Sequence, residues 1–506
     1  MITPRLLSLA PGLTFVFLSF LFLSGQLQSA DREVGVLLKE PAACDGYTLF
    51  TSIVSTATYL IDLDGRIVNR WESDFKPGHS AYLRENGHLL RGASVGLANK
   101  TFRAGGAGGR IQEFSWEGEL LWDYEYSTPT LLQHHDFEPL PNGNVLLIVW
   151  EAVSREEAVA AGRNPDAVSN KGLWTDRIVE VKPTGKKGGE IVWEWRIWDH
   201  LVQEYDPEMA NYGVVADHPE LINLNPLDWV DNLAPKERQK LEAIGYLSAR
   251  TQLESRGRNP DWTHFNSVAY DAELDQILIS VLGFNEVWII DHSTTTEEAA
   301  GHKGGRSRKG GDLLYRWGNP ASYHRGGAED QKLFAQHDAQ WIADGLDGAG
   351  HILVFNNGRG RIGDDYSSVD EIVPPLDENG RYTLEKKSAF GPKDPIWSYS
   401  AEPKKDLYSI NFSGAQRLPN GNTLICSGRF GTLLEVTREG EVVWKYFSPL
   451  FNALERRPGQ RGRPPAGNTP IRGTQNSLFK VCRYAPDYPG LAGKTLKPGP
   501  TVEESQ

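Results

Sequence analysis

Residues 111–122 read IQEFSWEGELLW: an apolar run, a turn built on Gly118, and a second apolar run that ends in Trp122. Two such runs around a glycine-containing turn form the pattern of a β-hairpin, since glycine accepts the backbone a tight turn needs. The unit recurs five more times. YLIDLDGRIVNRW (59–71) ends at Trp71, IVEVKPTGKKGGEIVW (178–193) at Trp193, and LLEVTREGEVVW (433–444) at Trp444. Two copies have longer turns, one running from VWIIDH at 287 to Trp317 and the other from VDEIVPPLDENG at 369 to Trp397.

A second hairpin type alternates with the first. Its members are GHSAYLRENGHLLRG (78–92), HDFEPLPNGNVLLIVW (135–150), HFNSVAYDAELDQILISV (264–281), HDAQWIADGLDGAGHILVF (337–355) and SGAQRLPNGNTLICSG (413–428). Residues 474–481 are a degenerate sixth. Two hairpins make one four-stranded blade, so the alternation predicts an all-β, six-bladed β-propeller. The chain begins with a Trp hairpin and ends with the other type. Its C-terminal strands are therefore expected to complete the first blade and close the ring, which removes exposed sheet edges. The tryptophans are expected to pack between blades or to seal the hairpins.

This repeat divides the chain into residues 1–30, a secretory signal or N-terminal anchor; 31–490, the propeller; and 491–506, a disordered tail. Insertions occupy 196–260, which is partly helical over 234–248 with Pro235 suited to a first helical turn, and 447–470, rich in Pro, Gly and Arg. Both leave the propeller between a Trp hairpin and the start of the next histidine hairpin. They are expected on the same face as the histidines, where they would roof a cavity.

The formal net charge of −13 argues against a nucleic-acid partner, because phosphate contacts need a basic face. The one concentrated basic stretch, 302–309, is glycine-containing and reads as a solvated loop. Arg5 precedes an uncharged run (6–26) and the small residues Ser29 and Ala30, the order of a cleavable export signal. An uncleaved anchor is the alternative, since the run approaches membrane-spanning length. On either reading the rest lies outside the cytoplasm, periplasmic or secreted, with a membrane as partner only if the segment is retained. Cys44, Cys426 and Cys482 are too few for a disulfide scaffold. Ring closure would permit a Cys44–Cys482 bridge, but free thiols are the expectation.

In a propeller the first strand of each blade lines the central channel. His79, His135, His264 and His337 all stand at the start of that strand, so they are expected to face one another. Neutral imidazole is a nucleophile or base near neutral pH, and imidazolium donates to anionic oxygens. Asp136, Asn266 and Asp338 follow these histidines by one or two residues and are expected to orient the rings. FNNGRGR (355–361) places Arg359 and Arg361 after the strand next to His337, and a guanidinium fork matches paired anionic oxygens. Converging histidines also suit zinc or copper, with carboxylates behind them. Hydrolase, phosphate-loop and dinucleotide motifs are absent from the sequence.

The stretches YLIDLDGRIVNRW, QHHDFEPLPNGN (133–144), DWTHFNSVAYD (261–271), QHDAQW (336–341), FNNGRGR, YSSVDEI (366–372) and VCRYAPDYPGLAG (481–493), in this order, resemble the bacterial arylsulfotransferase family, the PAPS-independent aryl-sulfate sulfotransferases. The resemblance implies an exported six-bladed propeller that moves a sulfuryl group from an aryl sulfate donor to a phenolic acceptor through a sulfated histidine, with no cofactor and no obligatory metal. Carried over motif by motif, it implies catalytic roles for His135, His264, His337 and Arg361. It implies substrate contacts from His134, Asn266, Arg359, Ser413 and Arg429. The chain departs from the family in one respect. The family's sulfuryl-carrying histidine comes from a late blade, whereas 408–434 contains none here and no histidine follows His351. Either another histidine, such as His135, takes the role, or the cavity binds sulfated or phenolic ligands or a partner without catalysis. A metal-dependent propeller lyase or hydrolase is a third reading.

Overall fold

The computed structural model describes residues 33–226, 259–361, 364–450, 452–453 and 474–506. Expectations for residues 1–30, for the helical stretch 234–248 and for most of 447–470 lie outside the described residues. No helix among the described residues is long and apolar enough to cross a membrane.

Six antiparallel sheets form a closed β-propeller. The first blade comprises Tyr47–Ser52, Thr58–Ile61 and Ile67–Trp71, and its innermost strand, Leu478–Tyr484, comes from the far end of the chain. Leu49 pairs with Cys482 and Tyr47 with Tyr484, so the ring is closed by backbone hydrogen bonds between the chain's two ends. The innermost strands of the next five blades are Pro77–Leu83, Leu131–Pro139, Phe265–Asp271, His337–Trp341 and Ser413–Arg417. A strand that sequence reasoning missed, Gly35–Lys39, adds to the outer edge of blade 6, with Gly35 opposite Phe447. Cys44, Cys426 and Cys482 are free thiols.

Alternation along the middle strands explains why apolar residues occupy both of their faces. In the Gln276–Val281 strand, Ile277 and Ile279 join a core shared with Ile148 and Ile178 of blade 3, while Leu278 joins Ile352 and Val354 of blade 5. Both sheet faces are buried against a neighbour, so both parities must be apolar. The same arrangement holds at each of the six interfaces.

The repeated tryptophans tie each blade to the next. The indole N–H of Trp71 donates to Ser115 O at 2.9 Å, Trp122 to Gly188 O at 2.9 Å and Trp193 to Thr294 Oγ1 at 3.1 Å. Trp317 donates to Pro392 O at 2.7 Å, Trp397 to Arg438 O at 2.8 Å, and Trp444 to Leu63 O at 2.9 Å, back in the first blade. Each indole packs against the adjacent blade, Trp397 only partly buried, and satisfies its one donor there.

The expected disordered tail is ordered instead. Val502 is fully buried in the core between blades 6 and 1, and Leu491 packs between blades 1 and 2. The Ile67 amide donates to Pro500 O at 3.0 Å, and Gly499 N–H returns a bond to Ile67 O at 2.8 Å. One leucine and one valine anchor the segment to the propeller.

Candidate active site

The innermost strands begin with local irregularities that turn side chains toward the channel. His135 (φ 50°) and His264 (φ 51°) adopt the left-handed region, as do Asp338 (φ 53°) beside His337 and Phe412 (φ 56°) before Ser413. The ladder register shifts at these points in blades 3, 4 and 5. Such conformations are costly for residues with a Cβ and persist where surrounding structure enforces them. His79 (φ 94°) is the counterpart in blade 2.

The rings converge. His135 and His264 have centroids 4.6 Å apart, His79 stacks on His135 at 5.7 Å, and Phe479 lies 5.0 Å from His79 and 6.2 Å from His337. Beneath them the channel is closed by Lys480, whose Nζ lies 2.7 Å from Asp338 Oδ1 and 3.4 Å from Asp136 Oδ2. Tyr82 donates to Asp136 Oδ1 at 2.7 Å. Asp136 and Asp338 thus hold a buried cation and do not orient the histidines that precede them, contrary to the expectation from spacing. Asn266 is buried, its amide donating to Gln336 O at 2.7 Å, and orients no ring either.

The orienting groups come from elsewhere. Asp176 Oδ1 lies 2.6 Å from His134 Nε2, and a carboxylate only accepts, so that nitrogen carries a proton. Thr263 Oγ1 and the Phe265 amide donate to the other carboxylate oxygen, at 2.5 and 3.2 Å. His134 Nδ1 is 2.8 Å from His135 Nδ1. With His134 neutral, its Nδ1 lone pair accepts from His135 Nδ1–H, which leaves the lone pair of His135 on Nε2. His264 Nδ1 is 2.5 Å from Asp261 Oδ2, and His337 Nδ1 is 2.8 Å from Asn357 Oδ1 and 3.2 Å from Ala335 O. Each of the three channel imidazoles is held at Nδ1 by a fixed acceptor; for His135 and His337, which burial keeps neutral, this commits Nε2 to the accepting role.

Burial keeps most of these rings neutral. It is the leading cause that lowers His79 to about 4 and His337 to about 3, with His264 as a neighbouring like charge in both cases. Arg359 adds to the lowering at His337. His135 and His134 are also lowered, chiefly by burial; for His134 the Asp176 carboxylate opposes the shift.

The sequence-derived residues therefore separate into two groups. His135, His264 and His337 meet in the channel, and Arg359 acts electrostatically on His337. Arg361 stands apart: its guanidinium lies over Tyr366 at 4.5 Å and donates to Ser368 Oγ at 2.6 Å. His134 was expected to touch a substrate, but both its nitrogens are engaged within the protein and its ring stacks on Trp150 at 4.0 Å. Ser413 Oγ accepts from Asn357 Nδ2 at 3.0 Å and so supports the group that holds His337. Arg429, half-buried, donates to Ser477 Oγ at 3.3 Å. Asp261 and Asn357 sit within the motifs DWTH and FNNG but were not expected to orient the rings. Asp176 lies in the strand Leu173–Thr184, and no spacing rule points to it.

A cavity of about 610 Å³ opens beside the histidines, lined by Arg359, Leu282, Gly283, Phe334 and Ala335, and by Asn223 and Pro226 from the first insertion. Leu282 and Gly283 are hydrogen-bonded to His264 O and Thr263 O, which joins this wall to the histidine strand. The model of the arylsulfotransferase (ASST) family matches residues 36–447. The chain belongs to the arylsulfotransferase family. Arylsulfate sulfotransferase AssT of Lelliottia amnigena is 27% identical over 75% of this chain and 58% of its own length. The AssT of Escherichia coli O6:H1 is 27% identical over 79% of this chain and 61% of its own. The chain thus spans about three fifths of the length of the arylsulfotransferases it matches. Among solved structures, a protein of unknown function from Bacteroides caccae aligns over 87% of this chain and 98% of its own at 11% identity, with a TM-score of 0.43.

Proposed function

We propose that this arylsulfotransferase moves a sulfuryl group from an aryl sulfate ester to a phenol, without a nucleotide, and that His135 carries the group. The hydrogen-bond chain Asp176–His134–His135 supports this reading, because it leaves a nucleophilic lone pair on His135 Nε2. In the first half-reaction Nε2 attacks sulfur; the S–N bond forms as the S–O bond to the phenol breaks. The positive charge on the sulfated ring is relieved as Nδ1–H shifts toward His134, whose Nε2–H faces Asp176. His264, paired with Asp261, gives a proton to the departing phenoxide. In the second half-reaction His264 takes the acceptor's proton, the phenolic oxygen attacks sulfur, and the S–N bond breaks. Arg359 and His337 face the sulfuryl oxygens, where charge gathers in the transition state.

The test is transfer from 4-nitrophenyl sulfate to phenol by purified protein, with and without chelator, combined with rapid quenching in donor alone. Transfer that survives chelation, with the mass of one SO3 on the peptide holding His135, is the expected result. Label on another residue would displace His135. The second reading, a binding propeller without turnover, is favoured by blade 6, whose innermost strand brings no histidine to the channel and is preceded by Phe412, 5.7 Å from the His79 ring. Tight aryl sulfate binding with no transfer across several donors would establish it. Export to the periplasm or beyond is part of the proposal and rests on residues 1–30; fractionation of cells producing the full chain tests it.

A further inference from the structure

Away from the channel, at the rim between blades 3 and 4, three metal-binding side chains converge on one point. His200 follows the outer strand of blade 3, Gly188–Arg196, and His302 and Asp312 belong to the long turn before Tyr315–Trp317 in blade 4. Asp312 Oδ1 lies 3.0 Å from His200 Nδ1 and 2.7 Å from His302 Nδ1. The two rings stand at 86° with centroids 5.8 Å apart. Among the described residues this is the one group of three whose ligating atoms all lie within 4.8 Å.

The tautomer of His200 points to a cation. Its Nε2 is 2.8 Å from Ala299 O, and a carbonyl only accepts, so Nε2 carries a proton and, in the neutral ring, Nδ1 presents a lone pair. That lone pair faces a carboxylate oxygen inside the protein: His200 is fully buried and Asp312 is 7% exposed. Two lone pairs at that distance repel unless a positive charge lies between them. A ring N–H bound to a backbone carbonyl behind the ligating nitrogen is the usual support of a metal-bound histidine.

The surroundings are built for this contact. A Cβ on Gly311 would lie 2.0 Å from Ala299 O and 2.6 Å from the His200 Nε2, so glycine is required for the supporting hydrogen bond. Trp195 stacks on His200 at 5.5 Å and donates to Gly311 O at 2.6 Å, fixing both walls. His302 is the exposed member and also lines a cavity of about 430 Å³ with Trp198, Tyr212 and His218. A small rotation of that free-standing ring opens the ligand spacing to the roughly 3.3 Å that bonds of about 2.1 Å to zinc require.

We propose that His200, His302 and Asp312 form a binding site for a divalent cation of the zinc class, with at least one further position open to the cavity. Two imidazoles and one carboxylate suit zinc, and cobalt(II) reports the same geometry through its visible absorption. The site clamps blade 4 to blade 3 and is separate from the proposed sulfuryl chemistry.

The experiment uses tag-free protein, stripped with chelator and titrated with cobalt(II) and then zinc(II). One equivalent of cobalt should give a visible band that zinc displaces, and zinc should raise the thermal midpoint by several degrees. His302→Ala, at an exposed position, should abolish the band and the shift while sulfuryl transfer is retained. His200→Gln should do the same if it folds. Absence of the band in wild type, or an undiminished band in His302→Ala, would overturn the site and leave His200–Asp312 as a proton-mediated ion pair.

Discussion

His134 and His135 present their Nδ1 atoms to one another at 2.8 Å, so one proton between them serves both rings. Asp176 at 2.6 Å from the far nitrogen of His134 decides which ring holds it. The carboxylate thereby sets the lone pair of His135 two residues away along the hydrogen-bond chain, without touching that residue. Asp176→Asn keeps the shape but offers an amide that donates as well as accepts, which admits the opposite tautomer. Transfer should fall by about 10³- to 10⁴-fold in kcat, the scale at which a wrong histidine tautomer disables a triad. Steady-state turnover of 4-nitrophenyl sulfate measures it, with circular dichroism to show an intact fold. His135→Ala should remove the covalent intermediate altogether.

A second expectation concerns proton uptake. Burial is the leading cause that pushes His337 down to about 3, so it is neutral at pH 7 and its Nε2 can only accept. A bound sulfate ester brings a negative charge to that nitrogen and raises its affinity for a proton. Donor binding should therefore take up a fraction of a proton that grows as pH falls below 7, and affinity should weaken as pH rises. Titration calorimetry in buffers of different ionisation enthalpy reads the uptake, and His337→Asn should lower it toward zero.

The fold was legible because the repeat is a physical necessity of its interfaces. Each Trp that ends an outer strand must bury a ring and satisfy one N–H, and Trp71 and Trp444 do so in the same way nearly the whole chain apart. The channel histidines were legible for the same reason, since repeat-equivalent positions face one another. Their orienting groups were not. Asp136 and Asp338 stand next to histidines in sequence, but strand geometry turns alternate side chains apart. Asp176 reaches His134 only because the second hairpin of the blade pairs alongside the first, with Trp150 on the strand between them. Gly35–Lys39 and the packed tail were missed because each depends on an edge that exists only once the ring has closed.

Acid should destabilise the protein through His79. Its ring is buried with Nδ1 unpartnered, and its value falls from the ordinary 6.5 to about 4, mainly by burial. The unfolded chain then binds a proton that the folded chain refuses, so stability drops as pH falls from about 6.5 to 4, by at most about 1.4 kcal/mol per unit for one such histidine. His79→Phe removes the titrating group and suits the adjacent rings of Phe412 and Phe479, 5.7 and 5.0 Å away. Urea unfolding at pH 7 and pH 5 should show a smaller pH difference in the variant, with stability at pH 7 retained or increased.

Lys480 closes the channel from below, reaching from the C-terminal strand of blade 1 to Asp136 of blade 3 and Asp338 of blade 5. All three side chains are buried, and the Lys480 charge is the cation between the two carboxylates, which otherwise accept only neutral donors such as the Tyr82 hydroxyl and the Ala415 amide. Lys480→Met preserves much of the volume but leaves two carboxylates facing each other in a dry interior. Breaking a buried ion pair at one partner costs about 3–5 kcal/mol. Asp338, already raised by burial and now without its cation, relieves the repulsion by binding a proton, so the variant regains stability as pH falls. Chemical denaturation across pH 5–8 should show a large deficit at pH 8 that narrows at pH 5, the reverse of the His79 trend. Adding Asp136→Asn and Asp338→Asn should recover much of the loss at pH 8, because the neutral amides need no counter-charge. A deficit that stays constant with pH and is not rescued would mean that the packing of the Lys480 stem matters more than its charge.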